Sequence, residues 1–158
     1  MHVYCLFCET QRCGQIATII EKDYGFQCIF PRIIQRKWTK GIPTEEMHDW
    51  LPGYLFLYTE QSMATMPRVA GIIRCLGNGE LTGKDLEFAR MIQQRKGIMG
   101  NVSLIQNGSR CRINDSAWSG LQGEVIKMDR ERKRCCIQFL FDDAVRTIWV
   151  GYDIIEIE

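Results

Sequence analysis

The sequence predicts an α+β chain in two parts. Residues 1–97 should form an α/β sandwich, an antiparallel sheet with helices, and residues 105–158 a small five-stranded β-barrel, with a linker at 98–104. Two long patterns of three- and four-residue apolar spacing fall in the first part, whereas short alternating strands fill the second. Gly97 and Gly100 interrupt the last helical pattern and mark the boundary. At 158 residues, 46% apolar and 25% charged, the chain has the usual balance of one ordinary domain or two small ones.

Val3 to Cys8 is an apolar run of strand formers and should be a buried strand. Cys13, Ile16, Ala17, Ile20 and Tyr24 then recur at helical spacing, with Thr10 as N-cap and Gly25 as stop. Phe26, Cys28 and Phe30 alternate as a strand that ends at Pro31. Ile33 to Trp38, a turn at Lys40-Gly41 and Met47 to Trp50 make a polar hairpin carrying Arg32, Arg36, Lys37 and Lys40. Gly53 to Thr59 is a strong strand. Ser62 to Met66 is a short helix stopped near Pro67. Gly71 to Leu76 is a strand, Gly77-Asn78-Gly79 a turn, and Thr82 to Lys96 a helix.

Beyond the linker, strands are expected at Arg110 to Asn114, Gly123 to Asp129, Arg134 to Phe141 and Val145 to Val150, with a last piece near Ile154. Five short strands in so little chain suggest closure into a barrel, which removes vulnerable edges.

Composition excludes several classes. The formal charge of +1 leaves nucleic-acid contact to local patches. No apolar run reaches the ~18 residues of a membrane span, and Met1 to Cys5 lacks the order of a secretion signal. The eight cysteines are expected as reduced, buried thiols of a cytoplasmic protein. Cys5 and Cys8 have CxxC spacing, but a strand turns residues three apart to opposite faces, so neither a metal nor another cofactor is expected. Only His2 and His48 are available as imidazoles, and there is no phosphate loop, zinc-protease motif or nucleophile elbow. No enzymatic activity is expected.

Two sets of residues carry a family likeness. Gly108-Ser109-Arg110-Cys111-Arg112-Ile113, followed by Trp118 and Gly120-Leu121-Gln122-Gly123-Glu124-Val125, resembles the KOW motif, in which two strands pair around a tight turn. Gly120 and Gly123 are expected to let the backbone turn sharply there. Leu51-Pro52-Gly53-Tyr54-Leu55-Phe56-Leu57 resembles the F-P-G-Y segment of NusG amino-terminal (NGN) domains, and Met66-Pro67-Arg68-Val69-Ala70-Gly71-Ile72 their V-P-x-V-x-G segment. All stand in family order, and the likeness covers Val3 to Ile157. The chain thus resembles NusG-family transcription elongation factors, and among their specialised paralogs the LoaP type. It departs from the pattern at Val3, Leu51, Ser116-Ala117 and Trp118.

The resemblance implies an NGN-type sandwich followed by an SH3-like KOW barrel. It implies a monomeric processive antiterminator, cytoplasmic and on the nucleoid during transcription. The first domain would grip the clamp helices of the largest RNA polymerase subunit through Phe7, Leu51, Pro52, Tyr54 and Phe56. By chemistry alone the same side chains suit a core.

The second domain would hold a nascent RNA hairpin through Arg110, Lys127, Arg130, Arg132, Lys133 and Arg134, with Trp118 stacking on a base. Its eight basic and nine acidic residues nearly cancel, so the local run at 130–134 matters more than the average. A wet, charged turn and a barrel-capping Trp118 are the bland alternatives. Arg32, Arg36, Lys37, Lys40 and Arg68, with Ser62 and Thr65, would meet upstream or non-template DNA; a merely solvated hairpin is equally open. The other family roles are a general factor whose barrel binds Rho or a ribosomal protein, and an RfaH-like factor recruited by a DNA element.

Overall fold

The computed structural model describes residues 1–77, 79–121 and 123–158, so Asn78 of the expected turn and Gln122 of the KOW-like segment lie outside the described residues. The chain is mixed α/β, mostly strand, and its contacts divide it into two compact units. One holds residues 1–31 and 51–97; the other holds 32–50 and 98–158.

The first unit is built on a four-stranded sheet of β1 (His2–Cys8), β2 (Gln27–Ile29), β5 (Tyr54–Thr59) and β6 (Ile72–Cys75), in the order β2-β5-β1-β6. All three pairings are antiparallel. Alternation along β1 and β5 sends Tyr4, Leu6, Cys8, Leu55 and Leu57 to one face. There they pack with Cys13, Ile16, Ala17 and Ile20 of the first helix and with Cys28. On the other face the Phe56 ring lies 6.1 Å from Phe88 of α2 (Gly83–Gln94), and the Tyr58 hydroxyl donates to the Ala89 carbonyl at 2.5 Å. Helices thus cover both faces, which is why every residue of β5 is buried and its sequence is an unbroken apolar run.

The first helix begins with a 3-10 turn, Thr10–Arg12, continues as α1 (Cys13–Ile19) and ends in a π-helical turn, Ile20–Tyr24. Gly25 stops it in the left-handed conformation at φ 72°, as its position suggests. Thr10 is not the cap: it lies inside the 3-10 turn, which Glu9 precedes. Ser62 to Met66 forms no helix, contrary to the sequence expectation. Instead the segment is pinned from outside itself, with the Met63 N–H donating to the Tyr4 hydroxyl at 2.9 Å.

The second unit joins a hairpin to a barrel. Strands β3 (Arg32–Thr39) and β4 (Ile42–Asp49) pair antiparallel, and β7 (Ile98–Met99) adds parallel to Arg32 and Ile33. The closed barrel has the order β10-β11-β12-β8-β9. Its strands are β8 (Val102–Asn107), β9 (Arg110–Ile113), β10 (Glu124–Asp129), β11 (Arg134–Phe141) and β12 (Ala144–Ile157). Cys135, Ile137, Phe139 and Phe141 point inward with Val102, Leu104 and Val150.

Five strands were expected and five are found, but not the same five. The segment given to a linker, 98–104, holds β7 and the start of β8. The two last pieces are a single strand, β12, which pairs with β11 up to Gly151 and then with β8 from Tyr152. The hairpin, expected within 1–97, groups with the barrel because Trp50, at its end, packs against Trp118 and Phe139 at centroid distances of 5.9 and 6.1 Å. A Cβ on Gly123 would stand 2.5 Å from the Ile137 side chain, so the residue is small to let β10 close on the core.

Candidate nucleic-acid interface

The turn between β10 and β11 is organised by one carboxylate. Asp129 accepts from the Arg132 backbone N–H at 3.2 Å and from the Arg132 and Arg134 guanidiniums at 3.3 and 3.1 Å. The backbone donor first, then the two guanidiniums, holds Asp129 below the usual carboxylate range. Lys133 takes a left-handed φ of 50°, which completes the reversal. The Arg134 guanidinium lies 4.9 Å from the centre of the Trp149 ring.

The cations of the 130–134 run do not form one platform. Arg110, Lys127 and Arg130 line a groove along β9 and β10, where Arg130 also donates to the Gln106 side-chain carbonyl at 3.1 Å. Arg132 and Arg134 line a second groove, of ≈ 330 Å³, shared with Arg36, Lys37 and Trp38 of the hairpin. A strand reversal turns neighbouring side chains to different sides, so adjacency in sequence did not mean convergence in space. Trp118 is a correction: at 1% exposure it packs edge-on against Trp50 inside the second unit and offers no face to a base.

On the hairpin, Arg32 pairs with Asp49 at 3.3 Å and Lys37 with Glu46 at 3.5 Å, while Arg36 reaches Asp153 of β12 at 3.8 Å. Lys40 is exposed at the hairpin turn with φ 52°. Arg68 is exposed in the first unit, beside Ser62 and Thr65 on a groove that includes Tyr24 and Met66. The cations expected on DNA are therefore split between the two units.

The aromatic set also divides. Phe7 is half-buried, its ring 5.2 Å from that of Tyr54, with the Arg74 guanidinium 5.5 Å from the Phe7 ring centre. Pro52 is exposed, and the next residue, Gly53 at φ 92°, lets the chain pass close to Phe7. Leu51, Tyr54 and Phe56 correct the sequence reading: all three are buried as core residues, Phe56 completely. Arg74 was missed, because nothing in its local sequence shows that β6 pairs it with Phe7.

The cysteines are free thiols. Burial, with Cys13 nearby, pushes the Cys8 thiol up to about 12, and Cys28 rises for the same first reason. Among the described residues no group of three or more metal-binding side chains converges, and no helix is long and apolar enough to cross a membrane. No protein-family model matches the chain, and no curated protein matches it in sequence.

Proposed function

We propose that the chain is a specialised NusG-type elongation factor of the LoaP kind, a processive antiterminator that holds RNA polymerase with its first unit and a leader RNA hairpin with its barrel. One observation carries this reading. Strands β9 and β10 of the KOW-like segment belong to a closed five-stranded barrel, and where β10 turns into β11 a carboxylate orients Arg132 and Arg134. Oriented guanidiniums suit the phosphates and loop bases by which folded RNA is recognised.

On the first unit the polymerase contact narrows to Phe7 and Pro52 with Tyr54 beneath, a small apolar and aromatic patch fitted to a helical partner. No bond is made or broken. The factor acts by binding the elongating state more tightly than the paused state, and a coupling of ~1–3 kcal/mol changes pause occupancy several-fold or more.

Transcription through a terminator in vitro, with and without the upstream leader, tests the proposal. Read-through that requires both protein and leader is expected; read-through indifferent to the leader counts against it. Leu140 and Val145 favour a second reading. They face each other across β11 and β12, both exposed, and suit a protein such as a ribosomal subunit component. Retention of such a protein by the chain, without hairpin preference, would support a general NusG-like role.

A further inference from the structure

Residues almost a hundred positions apart meet in one groove of the second unit: Arg36, Lys37 and Trp38 from β3, Glu46 of β4 (paired with Lys37 at 3.5 Å), Arg132 from the β10–β11 turn and Arg134 at the start of β11. A smaller adjoining cavity shares Gln35, Arg36 and Arg134 and adds Trp149. The hairpin is fixed in place beside the turn. The Gln35 amide donates to the Trp149 carbonyl at 3.0 Å, and Arg36 reaches Asp153, which is itself held by Asn101 at 2.9 Å.

Two of the arginines are anchored by carboxylates. Arg134 donates its Nε–H to Asp129 and Arg36 is ion-paired with Asp153 at 3.8 Å, and a guanidinium has five N–H donors. The donors not used there suit phosphate oxygens. Trp38 is 44% exposed, an unusual cost for an indole on a polar hairpin. An aromatic surface beside cations is the arrangement that takes an unstacked base with its phosphate. A groove of ≈ 330 Å³ is on the scale of one such nucleotide.

We propose that this groove binds a single unstacked loop nucleotide of the RNA, with its phosphate on Arg36, Lys37 and Arg132 and its base on the Trp38 indole. The proposal rests on the RNA-binding reading of the barrel and makes the hairpin part of the RNA site instead of a DNA-contacting arm.

The test uses the full chain and three labelled probes: an RNA stem closed by a randomised loop, the same stem without a loop, and a DNA duplex of the same sequence. Fluorescence anisotropy gives the affinities. The wild-type chain should prefer the looped RNA. Trp38→Ala and Lys37→Gln, both at exposed positions, should each weaken looped RNA by at least about fivefold and leave the loopless stem unchanged. Trp38→Phe should retain most of the affinity.

If both variants bind looped RNA like the wild type while Arg110→Gln with Lys127→Gln loses it, the groove is not the site, although the barrel still binds RNA. Equal affinity of the wild type for duplex DNA overturns the assignment to RNA. Absence of binding to every probe by the wild type removes the RNA-binding reading itself.

Discussion

Phe56 and Pro52 stand four residues apart and have opposite fates, buried under α2 and open to solvent. Phe56→Ala should therefore cost about 3–5 kcal/mol in urea unfolding. Pro52→Ala should leave the unfolding midpoint unchanged and weaken recovery of the chain on halted elongation complexes. The thiols give a pH-dependent prediction. Cys8 is an acid whose folded pKa is raised, so folding favours its neutral form. The stability it contributes is complete below the unfolded value near ~8.5 and is lost as pH rises from there towards about 12. The urea midpoint should fall across that window, and less so in Cys8→Ala. At neutral pH a thiol reagent should label the partly exposed Cys75 and Cys111 first, with the six buried cysteines reacting on unfolding.

Strands in this chain are defined by what lies on each side of them. β5 is covered by helices on both faces, so its apolar run is continuous; β11 lines a barrel and alternates as far as Cys136, which is buried on the outer side. The loop entering β5 depends on a backbone few residues adopt. A Cβ on Gly53, at φ 92°, would stand 2.8 Å from the Phe7 ring and 3.2 Å from the Cys8 carbonyl. Gly53→Ala should destabilise by more than about 1 kcal/mol and displace Phe7. Thermal unfolding measures the first effect and loss of polymerase binding the second. The apolar run that predicted β1 and the periodicity that predicted both helices were strong because each buries a stripe or a face. Ser62 to Met66 misled because its conformation is set by the distant Tyr4 hydroxyl, while its own sequence allows a helical turn.

At the scale of the whole molecule, the second unit is discontinuous in sequence, since residues 32–50 and 98–158 pack together. A fragment of residues 105–158 omits Val102 and Leu104, both inside the barrel, and should show poor amide dispersion by NMR. A fragment of residues 98–158 restores them but lacks Trp50, the neighbour of Trp118 and Phe139, and should melt below the corresponding transition of the intact chain. Equal melting of the two would deny the hairpin a structural part in the barrel.

Local patterns along the chain sufficed for the mixed α/β class, most of the helices and strands and the closure of the second part, but they put a helix at 62–66 that does not form and left out β7 and β8. Those patterns are periodicity and turn chemistry, which act over a few residues. Long-range packing put Trp118 and Phe56 in the interior, divided the arginines at 130–134 between two grooves and joined the hairpin to the barrel. Each of these depends on which distant segments pack together, and apolar burial is non-directional: an aromatic ring suits a core and a partner equally until its neighbours are in place.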